Sequence, residues 1–507
     1  MKIGWDCRIP AALNKSIAMR IANILTAFLI TTLTLPAAPV EEDYYRMHKI
    51  PIPDGIVLEA GGIEVMPDGR LAVGTRRGDI YMVENAFEED TSKAKFSLWA
   101  EGLHEVLGLS LYKDSLYVTQ RPEVSRLEDL DNDGRADLFE TISDGWDISG
   151  DYHEYAFGSK FDPEGNMWVV LCLTGSFSSK TPYRGWCVRV SHDGRFIPTA
   201  SGIRSPGGIG MNCAGEVFYC DNQGPWNGTS SLKHLTPGSF QGHPGGFKWY
   251  ELEDVRKAIG ERVEQPQDGG RFHKEISRIP AYRPPAILLP HGKVGNSASG
   301  IACDGSAGKF GPFQGQLFVS DQTHSVINRC FLEKINGYYQ GACFPFRKGF
   351  GSGNVPLMQC PDGSLYSGGT DRGWGARGGN RHALDRLVWT GKTPFEVHEM
   401  RIKPDGFELT FTEPVDPKAA ADLASYTIGT YTYIFQGKYG SPQVDASTPT
   451  IQSAKVAGDG RSVRLVVDGL QIGHIHELKM AGIRSKVEGN PLLHDVAYYT
   501  LWHLPKG

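Results

Sequence analysis

A run of acidic residues at regular spacing, from Asp129 to Glu140, has the composition of a calcium-binding loop. It matches the twelve-residue loop pattern in its oxygen ligands and in its central turn at Gly134. The ligands predicted by the match are Asp129, Asp131, Asp133, the main-chain carbonyl of Arg135, Asp137 and Glu140. Clustered carboxylates repel one another unless a hard cation lies among them. The spacing therefore predicts a bound Ca²⁺.

The sequence on either side of this loop has the pattern of a strand and a connection rather than of two helices. We therefore expect a single calcium loop that stabilises a long connection, and not a paired calcium sensor. The alternative is a solvated acidic turn without metal.

A second set of polar residues lies just before or just after strand-like segments. It comprises Glu105, Gln120, Arg121, Asp151, His153, Glu154, Arg204, Ser205, Asp221 and His324. A histidine can accept a proton near neutral pH, as removal of a hydroxyl proton during hydride transfer requires. His153 is therefore the candidate base, and the alternative is an ordinary loop histidine. A third possibility is a calcium-assisted hydrolase or lyase that uses Asp151, His153 and Glu154.

Several common catalytic motifs are missing from the sequence. There is no G-x-S-x-G elbow, no H-E-x-x-H, no P-loop and no dinucleotide-binding G-x-G-x-x-G between a strand and a helix. Their absence argues against the commoner hydrolase, zinc protease and NAD-dependent classes. The glycine-rich segment near Gly369 is interpreted as a flexible loop with exposed arginines.

One strand–turn–strand pattern, with Asp-Gly or an equivalent at the turn, recurs along the chain. Its six copies are Ile63–Thr75, Leu109–Gln120, Ser159–Leu171, Ile209–Asp221, Ile301–Asp321 and Leu357–Gly369. A further strand follows most copies, at an overall spacing near fifty residues. Small sheets that need a neighbour on both faces are typical of propeller blades.

The fold class predicted from this repeat is all-β, with a six-bladed β-propeller over residues 50–394. A seventh, degenerate blade between Asp221 and Ile301 is the main alternative. The segment Ile56–Glu59 is expected to close the ring against the last blade. Loops from separate blades meet at the mouth of a propeller, where they can bind one ligand.

The pattern changes from about Phe395. Alternating strands about ten residues apart, without further blade turns, predict a small Ig-like β-sandwich over residues 395–507. Its FELTFTEPVDP segment resembles bacterial Ig-like modules that act as spacers or stabilisers.

The first forty residues differ from the rest: basic residues precede an uncharged run from Ile21 to Val40. This pattern predicts a signal peptide over residues 1–40, or an uncleaved N-terminal anchor, and a periplasmic or extracellular protein. The formal net charge of −6, with both signs interspersed, argues against nucleic-acid or membrane-surface partners.

Cysteine usage agrees with export, because eight cysteines follow Cys7 and an even number favours disulfides in an oxidising compartment. Cys172 and Cys187, at the ends of two strand-like runs, are the single pair we expect. The alternative is that several cysteines are buried thiols.

The segments GLHEVLGLSLYKDSLYVTQR, DYHEYAFGSKFDPEGNMWV, GIRSPGGIG, DNQGPW and GIACDGSAGKFGPFQGQLFVSD carry a resemblance over roughly Pro51 to Thr393. The chain resembles the glucose/sorbosone dehydrogenase family, six-bladed propellers that bind pyrroloquinoline quinone. It is also similar to exported bacterial propellers labelled membrane-bound dehydrogenases. The resemblance implies His153 as the base acting on a sugar hydroxyl, with Gln120, Arg121, Arg204, Ser205 and His324 around the cofactor.

The chain departs from this family at two places. Thr323-His324 replaces the family's lysine, and the Ser352–Asn354 segment has no arginine. A quinone with three carboxylates needs cationic partners. The leading hypothesis is oxidation of a sugar or sugar-derived alcohol with the quinone, calcium and a separate electron acceptor. The missing cations favour the alternative, a non-catalytic carbohydrate- or protein-binding propeller.

Overall fold

The computed structural model describes residues 39–373 and 375–506, and nearly all regular structure in them is β. The signal peptide or anchor expected over residues 1–40 therefore lies almost wholly outside the described residues. Within the described ranges, no helix is long and apolar enough to cross a membrane.

Six groups of four antiparallel strands follow one another along the chain. The first group is β2 (Ala60–Val65), β3 (Leu71–Thr75), β4 (Ile80–Glu84) and β5 (Lys95–Ala100). The second is β6 (Gly108–Tyr112), β7 (Ser115–Thr119), β8 (Val124–Glu128) and β9 (Leu138–Ser143). The third is β10 (Ala156–Phe161), β11 (Asn166–Leu171), β12 (Trp186–Ser191) and β13 (Phe196–Ser201).

The other three groups recruit more distant segments. The fourth is β14 (Pro206–Met211), β15 (Val217–Asp221), β16 (Ser230–His234) and β17 (Ile287–Leu289). The fifth is β18 (Ala298–Cys303), β19 (Leu317–Asp321), β20 (Val326–Ile335) and β21 (Tyr338–Lys348). The sixth is β22 (Asn354–Gln359), β23 (Leu365–Thr370), β24 (His382–Trp389) and β1 (Tyr45–Lys49).

The repeated hairpins of the sequence form the first two strands of each group. Gly69, at φ +87°, shows why glycine recurs at the turn, since this left-handed conformation strains other residues. The first strand of each group packs on the first strand of the next, and β22 packs on β2, so the six strands close a ring. Close approach needs glycine here as well: a side chain on Gly108 would collide with the backbone of Gly158.

The ring is closed by a different segment from the one expected. The segment Ile56–Glu59 is not a strand, so that prediction was wrong. Instead β1 pairs with β24, with Tyr45 opposite Trp389. The reason is that β24 leaves an unpaired edge, which the more N-terminal strand covers.

The long interval between Asp221 and Ile301 supplies the last two strands of the fourth group and two short helices. The α-helices of the described residues are α1 (Glu41–Tyr44), α2 (Glu253–Ile259), α3 (Phe272–Arg278) and α4 (Pro417–Ala421). Turns of 3₁₀-helix cover Thr91–Lys93, Pro244–Glu251 and Leu423–Ser425.

The C-terminal residues form two further layers of strands. One is β25 (Val397–Lys403), β26 (Gly406–Phe411), β30 (Ser462–Asp468) and β29 (Thr450–Val456). The other is β32 (Val496–Leu501), β31 (His474–Lys479), β27 (Thr427–Thr432) and β28 (Val444–Ser447). Because β32 pairs with β21, this second layer continues the fifth sheet of the ring. Phe331 and Phe344 of the ring are part of the core that the two layers share.

The disulfide joins other cysteines than those expected. Cys213 bonds to Cys303, with Cα atoms 5.7 Å apart. Cys172 and Cys187 are buried free thiols, so that pairing was wrong. The reason is strand register: Cys187 lies opposite Val170, two residues before Cys172.

Candidate functional site

Polar residues converge at one end of the ring, which we call the rim. There the first strand of each group begins and the second strand ends, because the two are antiparallel. A cavity of about 40 Å³ opens on the rim. Its polar lining is Arg76, Tyr155, Ser205, Asn222, Gln322 and Arg372. Four of the six groups thus contribute a polar side chain just after their second strand.

Beyond this cavity, an axial channel of about 230 Å³ runs between the first strands. Lys160 crosses it toward the other end of the ring. The Lys160 ammonium donates to the carbonyls of Ile63 and Leu109, at 3.0 and 2.8 Å, and to Glu64 at 2.7 Å. These contacts join three neighbouring sheets.

Glu105 is the centre of a buried ion-pair network at the rim. Its carboxylate accepts from Arg76 Nε at 2.7 Å and from Arg121 Nη2. Both guanidinium groups lie against the ring of Tyr155, at 5.1 and 5.3 Å from its centroid. Burial raises the pKa of Glu105, but the charges of Arg76 and Arg121 outweigh that effect and hold the pKa below its ordinary value.

His153 lies at the same rim and is half-buried. Its Nδ1 is 4.0 Å from Asp151 Oδ1, and its ring lies 5.1 Å from that of Tyr152 and 6.1 Å from that of Tyr155. Burial lowers the pKa of His153, and the positive charges of Arg204 and Arg121 add to the lowering against the opposing charge of Asp151. The lowered pKa favours the neutral form of the imidazole at pH 7.

Arg204 and Ser205 lie just before the first strand of the fourth sheet, and they have different environments. Ser205 lines the cavity. The Arg204 side chain is buried and donates to three carbonyls: Nε to Ser176 at 3.1 Å, and Nη1 to Asn222 at 3.1 Å and Gln223 at 2.6 Å. Arg204 thus holds two rim loops together.

The other predicted cofactor contacts are engaged within the protein and do not line the cavity. Gln120 accepts from the backbone N–H of His104 at 2.6 Å and donates to Ser125 at 2.6 Å. Arg121 also donates to the carbonyl of Asp151 at 2.7 Å. His324 is buried, and its backbone N–H donates to Asp321 at 2.7 Å. All three stabilise the loops of the rim.

Glu154, a candidate of the hydrolase or lyase hypothesis, is fully buried and engaged within the protein. Its carboxylate accepts from Thr174 Oγ1 at 2.5 Å and from the backbone N–H of Ser149 at 2.6 Å. Of the two carboxylates in that hypothesis, Asp151 alone remains beside His153.

Among the cavity residues that sequence reasoning missed, Arg76, Gln322 and Arg372 share one position. Each follows the second strand of its group, the same position as that of the predicted residues Gln120 and Arg121. The signal was therefore present. For Arg372 this positional signal was overlooked, because the glycine-rich segment that contains Arg372 was interpreted as a flexible exposed loop. In the structure Arg372 Nη1 donates to Glu59 at 3.2 Å and to the carbonyl of Arg76 at 3.1 Å.

The acidic loop between β8 and β9 brings part of its predicted ligand set together. Carboxylate oxygens of Asp129, Asp131 and Asp137 lie within 4.8 Å of one another. Gly134, at φ +91°, forms the sharp turn and donates its N–H to Asp129 at 3.0 Å. The other carboxylate oxygen, Asp129 Oδ1, is buried without a hydrogen-bond partner in the described residues, as suits a metal ligand.

Two of the predicted carboxylate ligands lie outside that group of three. Asp133 accepts from the backbone N–H of Arg135 at 2.8 Å, which forms the turn. Glu140 lies on β9 opposite Arg126, whose Nη2 is 2.7 Å from the Glu140 carboxylate. The loop can therefore provide a smaller site, in which three carboxylates are joined by carbonyl and solvent oxygens.

A family model described as "Domain of unknown function (DUF7133)" matches residues 66–366. The chain belongs to this family. No curated protein sequence matches the chain significantly.

Solved structures similar to this chain include three dehydrogenases. One, described as an oxidoreductase (glucose dehydrogenase) from Thermus thermophilus, has 19% identity, a TM-score of 0.49 and coverage of 68% of this chain and 100% of the other. The PQQ-bound aldose sugar dehydrogenase from Streptomyces coelicolor has 16% identity, a TM-score of 0.44 and coverage of 70% and 100%. The pyranose dehydrogenase PQQ domain from Coprinopsis cinerea has 12% identity, a TM-score of 0.44 and coverage of 70% and 99%.

Proposed function

We propose that this protein binds a sugar or sugar-derived alcohol at the rim cavity. The observation that carries the proposal is Asn222 Oδ1, a buried acceptor near the cavity with no hydrogen-bond partner in the described residues. Such an atom costs free energy until a donor reaches it, and a ligand hydroxyl is such a donor. Ser205 and Gln322 offer further hydrogen bonds beside it.

The chemistry of the whole rim favours a polyol over other ligands. The cavity wall contains the neutral hydrogen-bonding groups of Ser205, Asn222 and Gln322 and the aromatic side chains of Tyr155 and Phe157, beside the two arginines. A sugar presents hydroxyl groups at its edge and apolar C–H groups on its ring faces, which this mixture of groups complements. His153 does not line the cavity, but its ring lies 6.1 Å from that of Tyr155, which does. It would accept a hydrogen bond from, or the proton of, a hydroxyl that extends from the cavity onto the rim.

The architecture that we propose is a six-bladed β-propeller over residues 50–394, closed by β1, and an Ig-like β-sandwich over residues 395–507. The ring of six first strands and the two C-terminal layers with a shared core support it. We further propose that the protein is exported, as the disulfide and the basic, then apolar N-terminal sequence favour.

Pyrroloquinoline quinone does not fit the rim as the structure has it. The cavity of about 40 Å³ is far smaller than a tricyclic cofactor. Of the arginines that its carboxylates would need, Arg121 and Arg204 are bound to Glu105 and to backbone carbonyls. Arg76 is also paired, and Arg372 is the more exposed of the two cavity arginines.

Quinone-dependent oxidation of the sugar, with a separate electron acceptor, is the second candidate function, and it requires a rim that opens wider than the cavity of about 40 Å³ described above. The neutral imidazole of His153 at the rim favours it, since oxidation of an alcohol requires a base for the hydroxyl proton. A Ca²⁺ ion at Asp129, Asp131 and Asp137 would in either case have a structural role, because these residues belong to a loop at the outer edge of the second sheet.

Binding can be tested without any assumption about turnover. Titration of the purified protein with a panel of monosaccharides and sugar alcohols, followed by calorimetry or ligand-observed NMR, should identify a ligand. Asn222→Ala should then weaken binding about fivefold to tenfold, the value of one neutral hydrogen bond to a buried group. Asn490→Ala, at a surface turn of the C-terminal layers, is the matched control. Binding equal in Asn222→Ala and wild type would contradict the proposal.

The second candidate has its own test. The protein is incubated with the quinone and Ca²⁺, and dye reduction is followed with each sugar that binds. If the candidate is right, His153→Gln abolishes dye reduction yet retains affinity for the sugar. If the wild type binds the sugar but reduces no dye, the oxidation candidate is contradicted and sugar binding remains as the proposed function.

A further inference from the structure

Solvent-exposed aromatic side chains are concentrated around the rim. Among the described residues, the exposed large aromatic side chains are Phe139, Tyr152, Phe177 and Tyr439, at 47%, 41%, 56% and 58% exposure. Of these four, Phe139, on β9, is the one remote from the rim loops. Tyr152 is adjacent to His153, and the rings of Phe177 and Tyr439 lie 6.5 Å apart. Exposed aromatic rings gathered at one place mark a binding surface more often than chance exposure does.

Arg204 fixes the two rings relative to each other. Its guanidinium lies 5.8 Å from the ring centroid of Phe177 and 5.3 Å from that of Tyr439. Because its bonds to Ser176, Asn222 and Gln223 hold the guanidinium in place, it forms a rigid floor between the rings. The outer faces of the rings stay accessible to a ligand.

Tyr439 comes from the C-terminal part of the chain, on the loop between β27 and β28. Both arms of that loop are hydrogen-bonded to the ring of sheets. The N–H of Trp226 donates to the carbonyl of Gln436 at 2.7 Å, and the N–H of Ser441 donates to the carbonyl of Gly228 at 3.0 Å. The loop is therefore an ordered component of the rim, and the C-terminal layers are more than a spacer.

The aromatic pair lies next to the candidate cavity. Ser176, the neighbour of Phe177, is within 3.3 Å of Ser205 through their hydroxyl oxygens, and Ser205 lines the cavity. Asn222 also connects the aromatic pair with the cavity. Its backbone carbonyl accepts a hydrogen bond from Arg204, and its side chain lines the cavity. A cavity of about 40 Å³ admits only the end of a sugar. The rest of a longer ligand would lie on the rim, toward the two rings.

We propose that Phe177 and Tyr439 form a stacking platform for a second sugar unit, so that the ligand is the end of an oligosaccharide rather than a free monosaccharide. The inference rests on the proposed sugar binding at the cavity. It uses the preference of pyranose C–H faces for aromatic rings, whose electron-rich faces attract the C–H groups. A glycan chain matches both features at once, because one sugar unit can place hydroxyl groups in the cavity while the next covers the exposed aromatic rings.

The test compares ligands of increasing chain length. Purified oligosaccharides built from each monosaccharide in the panel are titrated into the full-length protein by calorimetry. In the wild type, affinity should rise by about tenfold from one unit to two or three. The double variant Phe177→Ala/Tyr439→Ala should reduce that ratio by about the same factor. Phe139→Ala, the exposed aromatic residue outside the rim, is the matched control and should keep the ratio.

The outcomes distinguish failure of the stacking platform from failure of sugar binding at the cavity. A chain-length ratio that survives the double variant, or a wild type with equal affinity for monosaccharide and oligosaccharide, overturns the platform and leaves the cavity as a sugar site. Absence of binding by any sugar of any length overturns both. Thermal unfolding checks that the double variant is folded, as we expect because both side chains are exposed.

Discussion

Glu105 shows how a single residue organises the rim. Its side chain is only 4% exposed, and its backbone has the left-handed φ of +57° that residues other than glycine rarely adopt. The carboxylate pairs with Arg76 from the first sheet and with Arg121 from its own sheet. Two buried positive charges thus depend on one negative charge for their compensation.

The residue-level prediction concerns removal of that charge. Glu105→Gln should lower the free energy of unfolding by about 3–5 kcal/mol at neutral pH, because Arg76 and Arg121 remain charged and buried. Denaturant unfolding measures the change. Glu101→Gln, which breaks an exposed pair with Arg135, should cost under about 1 kcal/mol.

The acid dependence of Glu105 has a definite sign. Its pKa is lowered from an ordinary 4.5, so its stabilising contribution is present above that value and is lost as the pH falls through the lowered pKa. The stability difference between wild type and Glu105→Gln should therefore narrow in acid. A difference that stays constant down to the acid transition would contradict the ion-pair account.

At the scale of elements, the connection between β8 and β9 shows how far a local motif can be interpreted. Spacing alone predicted six ligands, and the structure brings three carboxylates together at Asp129, Asp131 and Asp137. Glu140 is drawn to Arg126 because both lie on paired strands, a partner that loop spacing cannot reveal. The turn at Gly134 and its hydrogen bonds are local, and for that reason they follow the pattern.

The element-level prediction is a calcium-dependent stability. Ca²⁺ at about a hundredfold excess over its Kd should stabilise the fold by about 2.7 kcal/mol relative to a chelator. The relief of repulsion among three carboxylates is the physical cause. Asp129→Asn should remove most of the effect, while Asp144→Asn, an exposed carboxylate outside the loop, should not. Identical unfolding curves of the wild type in Ca²⁺ and in chelator would show that the loop is an acidic turn without metal.

At the scale of the whole molecule, a buried histidine joins the two ends of the described chain. His494 is 2.6 Å from Glu396 through Nδ1 and 3.1 Å from Glu41 of α1 through Nε2. Burial lowers the pKa of His494, but Glu396 and Glu41 outweigh that effect and raise the pKa to about 9. The imidazolium thus connects the segment before β1 with the C-terminal layers.

The molecule-level prediction is an alkaline loss of stability. A pKa raised from 6.5 to about 9 means that the stabilising contribution is complete below pH 6.5 and is lost as the pH rises through about 9. Thermal unfolding should show wild type more stable than His494→Gln at pH 6, with the gap closing by about pH 10. His503→Gln is the control, since burial lowers the pKa of His503 instead of raising it, and no loss of stability between pH 6.5 and pH 10 is expected from this residue. A gap that persists above pH 10 would contradict the prediction.

The sequence by itself determined the nearly all-β character and the hairpin repeat, because strand alternation and Asp-Gly turns depend on neighbours a few residues away. It also placed His153, Arg204 and Ser205 at the ends of strands that meet. Tertiary structure alone decided which partners these residues have, that Cys213 and not Cys172 forms the disulfide, and that β32 extends the sheet of β21. These are contacts between segments far apart in sequence, and the packing of the folded chain selects among the many pairings that local pattern allows.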